Sequence, residues 1–367
     1  MSMADVVVVG AGVFGAWTAL QLRRSGRTVT LFDGYGAGNS RSSSGGESRI
    51  LRMGYGADEI YTCWAMRSRD LWIDLFAQIG RPELFQRTGV LWTPRPDDPR
   101  VAITRAVFQK CGVTFDTLRP NELQKSFPQV RFREERMGVF ESLSGFLLAQ
   151  RAVRAVVDQA VREGVEYRQE FVQPSAGSGL AVYACGPWLP KIFPELLAGR
   201  IRVTRQEVFF FGTGGAPLRY FAPPHMPVWV DITDQHGAYA IPEIDNLGFK
   251  LAFDRHGPEF DPDTGDRSAV GVDAASAFLA ERFPGLAGAP LVDSRVCQYE
   301  NTSSGDFLID RHPNFENVWL VGGGSGHGFK HGPAVGEQVC SLIEGKASVE
   351  PRFSLASKSG EPQRSVF

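Results

Sequence analysis

The sequence predicts an α/β protein of two domains, and three features along the chain carry that reading. An unbroken β-branched run at 6–9 enters a glycine-spaced turn, and a second apolar run at 318–321 enters another three hundred residues later. Such continuous runs mark strands buried on both faces of a parallel sheet. Between them, 89–93 and 205–253 are rich in aromatic and β-branched residues punctuated by Gly, Pro and Asp, the signature of antiparallel strands. A chain of 367 residues also exceeds the size at which one hydrophobic core stops growing. The expected architecture is a Rossmann-type domain carrying an inserted, mainly antiparallel-sheet (α+β) domain.

Taken in order, the run 6–9 is the first strand. The turn Gly10-Ala11-Gly12-Val13-Phe14-Gly15 follows, then a helix with Val13, Ala16 and Leu20 on one face. That helix closes on Arg23 and Arg24, with Gly26 beyond its end. Residues 28–32 form the second strand and end at Asp33, completing a β-α-β unit. Further on, apolar residues at Val153, Val156, Val157 and Ala160 predict a helix over 150–163 that stops at Gly164. A short buried strand at 180–184 runs into Cys185-Gly186-Pro187-Trp188. The strand 318–321 leads through the glycines from Gly322 to Gly328 into a helix that begins near Pro333 and ends before Gly345. One domain is therefore expected from 1–85, 140–200 and 296–350, the second from 86–139 and 201–295, and a polar tail from 351–367.

Composition excludes several classes of function. A formal net charge of −2 leaves no basic face for nucleic acid. The five cysteines show no clustered metal spacing, and their odd count argues against a secreted disulfide framework. No metal is expected. No apolar run approaches the roughly 20 residues that span a bilayer, and Met1-Ser-Met-Ala-Asp5 lacks the positive start of a signal peptide. The expectation is a cytoplasmic, monomeric globular protein whose partners are small molecules.

The first turn carries chemistry. Gly10 permits a tight turn, Gly12 lets the backbone approach a pyrophosphate, and Gly15 lets helix and strand pack closely. The helix N-terminus then offers amides and dipole to the phosphates, and Asp33 is placed to accept from ribose hydroxyls. Order and spacing together point to a dinucleotide. FAD is favoured over NAD because the fingerprint sits at the extreme N-terminus and a second glycine turn, around Gly326, lies far along the chain. A long, extended cofactor can meet both, the second at its flavin end.

Together these motifs resemble the D-amino-acid-oxidase superfamily, and within it the monomeric sarcosine oxidase branch, which includes N-methyltryptophan, pipecolate and fructosyl-amino-acid oxidases. The resemblance spans Val6 to about Gly345. It rests on Gly10 to Gly15, Ser48-Arg49-Ile50-Leu51-Arg52, Lys250, Cys297-Gln298-Tyr299 through Phe307-Leu308-Ile309-Asp310, and Gly326-His327-Gly328-Phe329-Lys330. It implies covalent FAD, carried on Cys297 through a thioether, and oxygen activation by Lys250. It implies Arg52 and Lys330 as the clamp on a substrate carboxylate, with Arg49 and His327 lining the flavin and Tyr239 and Tyr299 around the substrate amine. It adds Val13, Phe14, Ser44, Ser48, Gly324, Gly328 and Phe329 to the cofactor contacts, with Gly186, Trp188 and Val172 near the adenosine.

Two departures stand out. Asp254 occupies a position where the sarcosine and N-methyltryptophan members carry histidine, and the fructosyl-amino-acid members place an acid there. Residues 172–180 also compress what is normally a small β-meander. The implied reaction is oxidation of a secondary amino acid: hydride passes from an amine C–H to flavin, the imine hydrolyses, and O2 is reduced to H2O2 near Lys250. A fructosyl-amino-acid oxidase and a flavin amine dehydrogenase with poor oxygen reactivity are the alternatives.

Overall fold

The computed structural model describes residues 4–133, 136–173, 179–213, 220–231 and 237–360. The strand Val6–Val9 lies inside a six-stranded sheet, flanked in parallel by Leu180–Tyr183 and Val29–Phe32, with Val6 opposite both Leu180 and Val29. Glu166–Arg168 extends the sheet beyond Val29–Phe32, and Phe315–Gly322 extends it beyond Leu180–Tyr183. Leu308–His312 closes that edge antiparallel. Val6, Val8 and Leu31 are fully buried, as their apolar runs require.

The helix Val13–Arg24 ends on Arg23 and Arg24, two cations that complement its C-terminal dipole. Ala149–Arg162 buries Val153, Val156, Val157 and Ala160 on its inner stripe, and Gly332–Ile343 packs on the first helix. There Gly336 lets the helices approach so closely that a Cβ would lie 2.8 Å from the Trp17 backbone.

A second sheet has eight strands in the order Leu291–Thr302, Ile201–Phe211, Phe249–Phe253, Ala238–Ile241, Val228–Asp231, Val90–Trp92, Gly138–Glu141 and Asp116–Leu118. Its pairings are antiparallel except that Val228–Asp231 runs parallel to Val90–Trp92. The expected mainly antiparallel block is thus joined to the segment near 90 through one parallel contact. A small sheet of Arg49–Leu51, Gly145–Leu147 and Phe85–Gln86 lies apart from both.

Two structural details depart from the sequence expectations. Leu291–Thr302 pairs along its length with Ile201–Phe211, so a division at 295/296 cuts through one strand. Residues 351–360 do not trail away. Phe353 is fully buried beside Trp64 and Phe307, Arg352 pairs with Asp306 and Asp58, and the Leu355 amide donates to Asp310. A tail read as polar is held by one aromatic and one ion-pair network, and residues 361–367 lie outside the described residues. Most of the compressed segment at 172–180 also lies outside them. No helix among the described residues is long and apolar enough to cross a membrane.

Candidate active site

Both glycine turns line one cavity of about 440 Å³. At the first turn Gly10 has φ +101°, and a Cβ there would sit 2.4 Å from the Ala184 carbonyl oxygen. A Cβ on Gly15 would lie 1.8 Å from the Gly10 carbonyl oxygen, so helix and strand can meet only at glycine. Gly12 differs. Its Cβ would meet nothing closer than Ser44 Oγ at 3.5 Å, so the space left by its missing side chain belongs to the cavity. Val13 and Phe14 line the cavity at the helix start, where the Val13 amide donates to Ser44 Oγ at 3.1 Å.

Asp33 stands at the end of its strand and lines the same cavity. Its carboxylate accepts from the amides of Ala11 (2.8 Å), Tyr35 (2.9 Å) and Gly36 (2.8 Å). Burial raises its pKa against those bonds. Val172, Gly186 and Trp188 form the neighbouring wall, with the Trp188 indole donating to Asp263 at 2.7 Å. Gly324, Gly326, Gly328 and Phe329 form the opposite end.

Two side chains that sequence reading passed over also face this cavity. Glu300 Oε1 accepts from the Gly324 amide at 3.3 Å, whereas its Oε2 is buried with no hydrogen-bond partner among the described residues. Burial pushes the Glu300 carboxyl up to about 7. Gln298 Oε1 is likewise buried and unpaired. Buried acceptors are normally satisfied, so these oxygens mark a wall completed by a ligand that brings hydroxyl donors. A glycine cradle for phosphate, an acid at the second strand and unpaired acceptors between the turns fit FAD.

A smaller cavity of about 80 Å³ adjoins the first and shares Arg49, Tyr299, Ser325, Gly326 and Phe329 with it. Ser48, Arg52, Tyr239, Asp254, Cys297, His327 and Lys330 complete its functional walls. Arg49 points a guanidinium nitrogen at Cys297 Sγ, 3.3 Å away, and the sulfur helps hold the arginine's pKa up against burial. Tyr299 donates to the half-buried Asp254 at 3.2 Å, and burial raises the pKa of both. His327 stacks on Phe307 with ring centroids 4.9 Å apart and bonds through Nε2 to the Gly305 carbonyl at 3.0 Å.

Lys250 stands behind this wall rather than on it. Buried on Phe249–Phe253, it donates to the Ser48 carbonyl at 3.0 Å, and burial followed by the Arg49 charge lowers its pKa to about 7. Ala252 and Phe253, at the far end of the same strand, and Asp254 just beyond it line the cavity instead.

Arg52 and Lys330 converge on a residue the sequence reading did not single out. The Arg52 guanidinium lies 4.4 Å over the Tyr55 ring and 5.0 Å from the Trp92 ring. Lys330 Nζ donates to the Tyr55 hydroxyl at 2.7 Å, and His331 Nε2 meets the same oxygen at 2.8 Å. Burial, then repulsion from Arg52, holds the Lys330 ammonium well below its usual pKa. Buried Glu141 anchors the loop that carries these groups. It accepts from the Met53 amide (2.7 Å), the Gly54 amide (3.1 Å) and the Trp92 indole (2.7 Å). Tyr55 could have been noticed three residues after Arg52. Glu141 is far from it in sequence and gives no local signal. Spacing also failed to anticipate that Cys63 and Cys111 meet on the surface, with Sγ atoms 3.4 Å apart beside Glu59.

A family model described as FAD-dependent oxidoreductase matches residues 5–342. Among similar proteins, the monomeric sarcosine oxidase of Arthrobacter sp. (strain TE1826) is 31% identical over 93% of this chain and 93% of its own length. The human peroxisomal sarcosine oxidase is 28% identical over 96% of this chain and 94% of its own. Among solved structures, the L-proline dehydrogenase of P. horikoshii superposes with a TM-score of 0.82 at 20% identity, covering 96% of this chain and 97% of that one. Both glycine turns and the walls between them fall within the matched span, and the chain belongs to the FAD-dependent oxidoreductase (DAO) family.

Proposed function

We propose that this protein is an FAD-dependent oxidase of secondary amino acids: sarcosine-like substrates, N-alkyl or cyclic. The observation that carries the reading is the pair of buried basic side chains, Arg52 and Lys330, gathered on Tyr55 at the wall of the small cavity. Burial first, and the neighbouring Arg52 charge second, hold the pKa of Lys330 down. A substrate carboxylate offsets that charge. The arginine offers a fixed fork and the lysine a point charge, which together orient an amino acid.

Bound FAD supplies a two-electron acceptor for the hydride of the substrate C–H bond. The protein's part is placement and charge. Arg52 and Lys330 hold the carboxylate, Tyr239 and Tyr299 flank the amine, and Arg49 and His327 form the wall toward the larger cavity. The amine reacts as the free base, so none of these residues is assigned as an obligatory base, and water hydrolyses the resulting imine. Lys250, while protonated, places a positive charge beside the site at which O2 is reduced to H2O2, an electrostatic role. Cys297 is the point of covalent attachment. Arg49 at 3.3 Å provides the positive neighbour that a reacting thiolate needs. Yellow colour retained in an acid-precipitated pellet is the expected result; colour released to the supernatant would remove the tether.

Kinship favours this reading. Two relatives matching over nine-tenths of the chain are named sarcosine oxidases, and the word monomeric in one name supports a monomeric enzyme. Asp254 supports a second reading. A carboxyl group on the cavity wall, bonded to Tyr299, suits a substrate bearing polyol hydroxyls, as in a fructosyl amino acid. Peroxide release from sarcosine, pipecolate, N-methyltryptophan and fructosyl-glycine separates the two. Turnover of fructosyl-glycine with no response to the other three would overturn the first.

A further inference from the structure

Cys63 and Cys111 lie on the surface, outside both cavities, where Glu59–Gln78 passes the end of Pro99–Cys111. Their Sγ atoms are 3.4 Å apart. A disulfide needs about 2.05 Å, so closure asks for a movement of about 1.3 Å. Cys63 is exposed, and Cys111 is the last residue of its helix, followed by Gly112 in the left-handed region at φ +73°. Both positions have room to adjust.

A metal ion is the other chemistry such a group invites, since Glu59 brings a carboxylate oxygen within 4.8 Å of both sulfurs. That carboxylate is already engaged. Lys110 Nζ sits 2.7 Å from Glu59 Oε2, and its charge is felt at both thiols. A cation in that place repels a second one. Burial, then the hydrogen bond to Cys63, pushes the Cys111 thiol up to about 11. Either sulfur can donate to the other, and Cys63, the exposed one, is the sulfur that an oxidant in solution reaches first.

We propose that Cys63 and Cys111 are a peroxide-oxidisable dithiol, a modification site that closes to an intramolecular disulfide between the two helices. The Cys63 thiolate attacks one oxygen of H2O2; the O–O bond breaks, one water leaves after protonation, and a sulfenic acid forms. Cys111 then attacks that sulfur; the S–O bond breaks, a second water leaves, and the S–S bond forms. Two thiols and one peroxide give one disulfide and two waters. Peroxide is also the product of the reaction proposed above, so turnover can supply the oxidant, but the site does not depend on that reading.

The test is to treat the purified reduced holoenzyme with about one equivalent of H2O2, then take its intact mass, count its thiols after denaturation, and map its peptides. The expected result is a loss of about 2 Da, a thiol count lower by two, and a peptide joining Cys63 to Cys111. Cys111→Ser should instead trap Cys63 as a sulfenic acid that dimedone labels, while Cys63→Ser should take up nothing at the same dose. Unchanged thiols, a lone sulfinic acid on Cys63, a disulfide between two molecules, or Zn2+ bound in place of oxidation would each overturn the proposal. A second arm replaces added peroxide with sarcosine and O2, with and without catalase. Failure of that arm alone counts against the oxidase reading and leaves the dithiol standing.

Discussion

At the residue scale, the buried charges define the experiments. Lys250 has a pKa near 7, so its ammonium is full below that pH and is lost as pH rises through it. Reoxidation of the reduced enzyme by O2 should therefore slow as pH rises through about 7, while reduction by substrate keeps its own profile. Lys250→Met should slow reoxidation about 10²–10³-fold, in line with loss of one preorganised charge, and should flatten that pH dependence. Stopped-flow measurement of the two half-reactions distinguishes these effects, and an unchanged oxygen reaction would remove Lys250 from the chemistry. Arg52→Lys keeps the charge but loses the fork between Tyr55 and Trp92. It should raise KM about 10–100-fold for carboxylate-bearing substrates, the worth of a charge-assisted hydrogen bond.

Glu300 gives a stability test at the same scale. Its carboxyl is neutral in the fold up to about 7, against about 4.5 when unfolded. A folded pKa that is raised contributes stability that is fully present below the unfolded value and lost as pH rises through the folded one. The fold should thus lose up to about 3 kcal/mol between pH 4.5 and 7 through this group alone. Glu300→Gln removes the titration. Melting curves of the two proteins should converge toward the acid end of that window and separate, variant above parent, toward neutrality. Parallel curves would show that the acid is solvated.

At the element scale, the two glycines of the first turn should fail differently. Gly15→Ala drives a methyl into the Gly10 carbonyl, so the first helix cannot seat on its strand, and the folded yield should collapse. At Gly12 the backbone is ordinary, φ −70°, and the added methyl would meet only Ser44. Gly12→Ala should fold with a melting temperature close to the parent apo-protein yet retain little FAD, as absorbance of the purified protein will show. Full flavin content in Gly12→Ala would place the phosphates elsewhere.

This contrast also shows what sequence can reveal. Strands at 6–9, 29–32 and 318–321 announce themselves because they are apolar on both faces, and Gly10, Gly12 and Gly15 because one local geometry demands all three. Helix Glu59–Gln78 does not. Its buried face, from Tyr61 to Phe76, mixes aromatics with Thr62 and Ser68, so the apolar period is weak. Yet this helix supports the site: the Trp72 indole donates to the Lys330 carbonyl at 3.1 Å. Glu141 was equally hidden, since a carboxylate meeting Met53, Gly54 and Trp92 is a fact of tertiary packing alone.

For the whole molecule, Leu291–Thr302 joins the two halves of the function. It is an edge strand of the eight-stranded sheet, and its later residues stand between the two cavities. Cys297 and Tyr299 touch the small cavity, while Gln298 and Glu300 touch only the large one. The even positions thus face the cofactor cavity alone, while the odd ones join the two: Tyr299 lines both cavities, and Cys297, on the small one, is the proposed tether of the cofactor. A change at Gln298 or Glu300 is felt on the cofactor side alone, whereas a change at Tyr299 is felt on both. Removing one residue just upstream would exchange the two sets and turn the wall inside out.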